Sequence, residues 1–141
     1  MWNPPNRRRV IVLMQGEHGI DGGPTAQALP PELELIVEAL RERNAREPVL
    51  LDLRGISDAT DWFVIASGDS DTHARAIARN VVERGQEAGM RPAGIEGERA
   101  ASWILIDYIT AVVHVFLPRV REFYRLEELW GDAPLTRLEE G

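Results

Sequence analysis

The sequence predicts a mixed α/β (α+β) fold: one mixed sheet of about five strands with flanking helices. Three observations point there. Apolar runs of strand length, rich in β-branched and aromatic residues, recur at 49–53, 60–67, 103–108 and 112–117. Stretches with apolar residues at helical spacing separate them, at 33–40 and 74–82. The resulting order, α-β-β-α-β-β-β-α, mixes a short hairpin with a link long enough for a crossover.

Each element has a local reason. Pro30-Pro31 opens a helix to about Ala45, because proline in the first turn lacks only an N–H that would be unpaired there. Leu33, Ile36, Val37 and Leu40 form its apolar stripe. Glu32 and Glu34 suit its positive end, and Arg41, Arg43 and Arg46 its negative end. Pro48 is expected to stop it. Residues 49–53 follow as a strand and Arg54-Gly55 as a turn. The near-continuous apolar run 60–67 reads as a central strand covered on both faces. Gly68-Asp69-Ser70 breaks it and caps a helix with Ala74, Ile77, Ala78, Val81 and Val82 inward. Gly89 ends that helix. Residues 91–95 form a short third strand. After the hairpin, Pro118 leads into an amphipathic helix over 119–129, with Val120, Phe123, Tyr124 and Leu126 on its apolar side. Residues 1–29, punctuated by glycine, are expected to be a flexible N-terminal tail, 30–130 the domain, and 131–141 a C-terminal tail. Met14 is an alternative start of translation.

The hairpin organises the chain. With Ile109-Thr110 as its turn, Trp103 pairs with Phe116, Leu105 with His114 and Asp107 with Val112. These six share one face, and the aliphatic Ile104, Ile106, Val113 and Val115 share the other, which belongs on the core. Rings beside a carboxylate have the composition of a binding surface. His114 reads as a structural histidine bonded near that face, because His18 and His73 are too far away in sequence pattern to suggest a metal cluster.

Composition narrows the function. The chain has 141 residues, 44% of them hydrophobic, and no cysteine. That bounds it to one domain with tails, without a disulfide framework, as in a reducing cytoplasm. No apolar run of about 18 residues exists to span a membrane. Net charge is −7, and all 16 basic residues are arginine. Arg7, Arg8 and Arg9 lie in a leader without acids, so the body is more acidic still. Such a body is repelled by phosphate backbones and matches a basic protein partner, not nucleic acid.

Several motifs then resemble one family. They are Asp61-Trp62-Phe63-Val64-Ile65-Ala66-Ser67-Gly68, Gly94-Ile95-Glu96-Gly97-Glu98 and Trp103-Ile104-Leu105-Ile106-Asp107-Tyr108. Val113-His114-Val115-Phe116 and Arg121-Glu122-Phe123-Tyr124-Arg125-Leu126-Glu127-Glu128-Leu129-Trp130 complete the set. In order and spacing, residues 52–130 resemble the ribosomal silencing factors, the RsfS or Iojap-like proteins. The resemblance implies a nucleotidyltransferase-like topology without enzymatic activity or cofactor. It implies a cytoplasmic protein that binds ribosomal protein L-fourteen on the large subunit and blocks subunit joining when nutrients are scarce. It assigns the partner surface to Trp103, Asp107 and Tyr108, with Phe116 beside them, and Glu96 and Glu98 are candidates to meet partner arginines. One departure stands out: the family usually has Gly-Asp where this chain has Ile109-Thr110. β-Branched residues resist positive φ, so a wider or differently typed turn is expected here.

Two rival classes remain. A nucleotidyltransferase-like enzyme would need paired carboxylates for Mg²⁺ on a strand following a Gly-Ser turn. Asp69 and Asp71 instead lie at a helix start, where capping is their simpler role, and no Asp-x-Asp strand follows. A homodimeric scaffold would use the same hairpin face to cover its own apolar surface.

Overall fold

A computed structural model describes residues 29–141 and the backbone of Ile11–Val12. Its elements are β1 (Ile11–Val12), α1 (Pro31–Glu42), β2 (Arg46–Asp52), β3 (Trp62–Ser67), α2 (Asp71–Glu87), β4 (Gly94–Glu96), β5 (Trp103–Asp107), β6 (Ala111–Phe116), α3 (Pro118–Tyr124), α4 (Leu126–Leu129) and β7 (Pro134–Arg137). The mixed class holds, but the sheet has seven strands, ordered β1-β7-β2-β3-β6-β5-β4.

The two added strands come from the segments read as tails. Within 131–141, β7 pairs antiparallel with β2, Leu51 facing Leu135. Leu135 and Ala133 are buried. A strand of four residues with one central leucine is too short to show alternation in the sequence. Of the segment 1–29, Ile11–Val12 pair parallel with β7. The remainder up to residue 28, with the expected tail and the Met14 start, lies outside the described residues.

Boundaries shift for identifiable reasons. α1 ends at Glu42, three residues early, because Asn44 takes φ +55° and closes the helix. Its N–H donates to the Arg41 carbonyl and that of Ala45 to Leu40, a left-handed C-terminal cap. Pro48, expected to stop that helix, lies within β2 at a bulge between Arg46 and Val49, where a missing N–H is tolerated. Gly89 closes α2 in the same way as Asn44 closes α1, at φ +84°. The expected helix over 119–129 is split by Arg125, at φ +45°, into α3 and α4.

The sheet carries two cores. On one face, Ile104, Ile106, Val113 and Val115 pack with Leu33, Ile36, Leu40, Ile77 and Val81 of α1 and α2. Asn80 braces the two helices, donating to the Ala39 carbonyl at 2.9 Å and to Glu42 at 2.9 Å. On the other face, Phe63, Ile65, Leu51, Phe116 and Leu135 are covered by Leu126 and Trp130. β3 lies between both, which is why its run is apolar throughout.

The hairpin register matches the predicted one: Trp103 opposite Phe116, Leu105 opposite His114, Asp107 opposite Val112. The turn is not wider. Ile109 adopts φ +74°, and the Thr110 N–H donates to the Tyr108 carbonyl at 2.8 Å, a γ-turn. The Asp107 carboxylate accepts the Ile109 N–H at 2.8 Å and holds the tight geometry.

Candidate functional site

β5 and β4 form the end of the sheet farthest from β7. There the second face runs out beyond α4. Trp103, Leu105 and Asp107 alternate onto it and are half-buried. Glu96, opposite Leu105 in the β4–β5 register, is exposed beside them. These four therefore form one surface, with a ring at one end and two carboxylates along it.

Trp103 is the pivot of that surface. Its indole Nε1–H donates to His114 Nδ1 at 3.1 Å, and its ring lies 4.8 Å from Phe116 and 4.8 Å from Tyr124. His114 is 1% exposed and packs edge-on to Phe63 at 4.4 Å. Desolvation pulls its pKa from 6.5 down to about 3, so the imidazole is neutral at physiological pH. An Nδ1 that accepts places the proton on Nε2. The ring orients Trp103, as expected of a structural histidine.

The predicted residues divide into three groups. Trp103, Asp107 and Glu96 share the surface just described. Glu98 is exposed in the following loop, which Arg75 pins by donating to the Glu98 carbonyl at 3.0 Å. Gly97, at φ +84°, lets this loop pass close to the Trp103 carbonyl, where any Cβ would collide. Tyr108 turns to the opposite face and packs against the first core. Its hydroxyl is buried beside Gly85, and burial raises its pKa. Phe116 is 0% exposed and cannot meet a partner. Its role is to support the Trp103 ring, because a strand face near the middle of the sheet is covered by the C-terminal segment.

Two exposed rings were read from the sequence as packing residues. Phe123 is 78% and Tyr124 44% exposed. Tyr124 stacks on Trp103, and Phe123 meets Tyr124 edge-on at 5.0 Å. Of the expected apolar side Val120, Phe123, Tyr124 and Leu126, Leu126 is buried in the second core and Val120 packs against it, whereas Phe123 and Tyr124 stay exposed.

A separate cleft of ≈ 950 Å³ opens at the far end of β3. Its charges neutralise one another. Arg46 donates to Asp69 at 3.3 Å, which holds the Asp69 carboxyl below its usual range. Arg121 donates to Glu127 at 2.7 Å, to the Ser67 hydroxyl at 2.9 Å and to the Glu47 carbonyl at 2.8 Å. Ser70, not Asp69, caps α2, accepting the His73 N–H at 3.1 Å. Among the described residues, no group of three or more His, Asp or Glu side chains could hold a metal ion, and no helix is long and apolar enough to cross a membrane.

The profile of a family described as "Ribosomal silencing factor during starvation", RsfS, matches residues 26–141. Ribosomal silencing factor RsfS of Bacillus subtilis is 40% identical over 109 residues, covering 77% of this chain and 92% of the relative. RsfS of Halalkalibacterium halodurans is 42% identical over 107 residues, covering 76% and 92%. A crystal structure of a Chromobacterium violaceum protein superposes with a TM-score of 0.71 at 33% identity, covering 74% of this chain and 88% of that one. One from Bacillus halodurans gives 0.65 at 37% identity, covering 76% and 95%. The match includes β7 as well as the hairpin that carries Trp103 and Asp107: the chain belongs to the RsfS family of ribosomal silencing factors.

Proposed function

We propose that this chain silences ribosomes in the cytoplasm under nutrient limitation by seating its β5–β4 surface on ribosomal protein L-fourteen of the large subunit. The bound domain then occupies the space that the small subunit needs for docking. The observation that carries the reading is the half-buried strip of Trp103, Leu105 and Asp107 with the exposed Glu96 beside it. It offers an aromatic anchor with carboxylates beside it, the arrangement that suits a basic protein. Glu98 extends the acidic rim. The scaffold is nucleotidyltransferase-like in topology only, because the Asp69 carboxylate that would serve a metal is engaged by Arg46.

The test is subunit joining. Purified small and large subunits are mixed with the protein, and whole-ribosome formation is followed by sedimentation. The wild type is expected to co-sediment with the large subunit and to suppress joining. Glu96→Arg is expected to lose both effects while keeping the circular dichroism of the wild type, and Asp107→Asn, which keeps an acceptor for the Ile109 N–H, is expected to weaken both. Joining that proceeds unhindered at saturating wild-type protein would sink the proposal. The exposed apolar side chains Ile109, Phe123 and Tyr124 also favour self-association. A dimer that stays intact in the complex with the large subunit, measured by ultracentrifugation, would separate that role from ribosome binding.

A further inference from the structure

We infer that the partner surface continues from β5 onto α3, and that Phe123 is a second anchor, filling an apolar pocket on the basic protein of the large subunit. This rests on the ribosome-binding reading above and adds a residue that strand alternation alone does not supply.

Three observations carry it. First, Phe123 is 78% exposed, the most exposed large apolar side chain among the described residues. Second, it is not an isolated ring. Phe123 meets Tyr124, Tyr124 meets Trp103, and Trp103 is fixed by His114 and Phe116 beneath. The exposed ledge is thus braced from the core outward, so little side-chain freedom is lost when a partner covers it. Third, the apolar stripe of α3 is only partly covered within the molecule. Val120 packs on the second core, whereas Phe123 and Tyr124, three and four residues on, overhang it. None of the residues of α3 is fully buried. A structure that only needed to close its core would use polar residues there.

The flanking charges say what kind of partner fits. Glu96 and Asp107 lie on the same sheet face as Trp103 and supply the acidic flank; Glu122, beside Phe123, is exposed but pairs with Arg125 at 3.1 Å. The chain as a whole is at −7. An aromatic ledge with acidic flanks in an acidic molecule is complementary to an apolar pocket rimmed by lysine or arginine.

The experiment measures affinity for purified large subunits by co-sedimentation, using the full chain. Phe123→Ala is expected to fold normally, because little of the ring is buried, and to weaken binding about tenfold or more, as anchor truncations do. Phe123→Trp, which keeps a ring at the position, is expected to restore most of that affinity. Glu96→Arg runs in parallel. If Glu96→Arg abolishes binding but Phe123→Ala binds like the wild type, the β5–β4 surface stands and the Phe123 anchor is wrong. If the wild type itself does not bind, both readings fall. Equal loss in Phe123→Ala and Phe123→Trp also overturns the anchor, because a ring in a pocket tolerates another ring better than a methyl group.

Discussion

His114 shows how a single buried group can set the pH response of the domain. Its pKa is about 3 in the folded chain, from desolvation, against 6.5 for an exposed histidine. A lowered histidine pKa means that the unfolded state binds more protons between these values, so stability rises with pH there. Folding free energy should therefore fall as pH drops below about 6.5, by about 2 kcal/mol between pH 7 and pH 5. The paired carboxylates Asp69 and Glu42, both held below their usual range, add their losses only further down, near the ordinary carboxylate pKa and below. Urea titrations at pH 7 and pH 5 check this, with His114→Phe expected to flatten the difference. An equal drop in that variant would show that His114 is not the source. At the same scale, Phe116→Ala should cost about 3–5 kcal/mol of stability, as a buried ring does. The loss would appear in thermal melts before any loss of ribosome binding. The sequence shows that Trp103, Phe116, His114 and Asp107 share a face, because alternation along a strand is strict. Which of them stay accessible depends on what lies above them, and that is decided by Leu126 and Trp130, arriving from the C-terminal segment.

At the scale of elements, the legible parts are those with a complete local signal. β3 is apolar throughout and proves central. α2 has Ser70 at one end, whose hydroxyl caps it, and Gly89 at the other, which without a Cβ takes the positive φ that closes it. β7 is not legible in the sequence because its place is set by a partner 84 residues earlier or more, in β2, and not by its own pattern. Removing 134–141 should therefore destabilise the domain and not merely shorten it, because Leu135 leaves the second core and β2 gains a bare edge. Hydrogen exchange should show lost protection in β2; unchanged protection there would contradict the pairing. The hairpin turn is the clearest conflict between local preference and structure. Ile109 at φ +74° is strained for a β-branched residue, yet the register across β5 and β6 is kept, because slipping it would send both faces the wrong way. Ile109→Gly should therefore raise stability by about 1 kcal/mol, since the relief of strain exceeds the entropy that glycine adds to the unfolded chain. A lower melting temperature in that variant would mean that the turn is not strained.

At the scale of the whole molecule, charge sets how the domain approaches its target. A chain at −7 meeting an isolated basic protein is attracted, and salt weakens that attraction. Meeting the same protein embedded in the large subunit is different, because ribosomal RNA surrounds it with phosphate charge. At low salt, where the Debye length reaches about 30 Å at 0.01 M, the domain feels that polyanion as well as the basic patch. At about 0.15 M the reach shrinks to about 8 Å, and the short-range contacts proposed for Glu96 and Asp107 should dominate. Binding to isolated L-fourteen should therefore weaken steadily as salt rises, whereas binding to the intact large subunit should weaken less, or strengthen, over the same range. Titrations of both targets between 0.01 and about 0.3 M salt compare the two slopes. Equal slopes would mean that RNA repulsion plays no part and that the acidic body serves solubility alone. A flatter slope for the subunit would explain how an acidic domain can be specific for one basic site on a surface that otherwise repels it: phosphate disfavours every landing place except the one where a basic protein and an apolar pocket coincide.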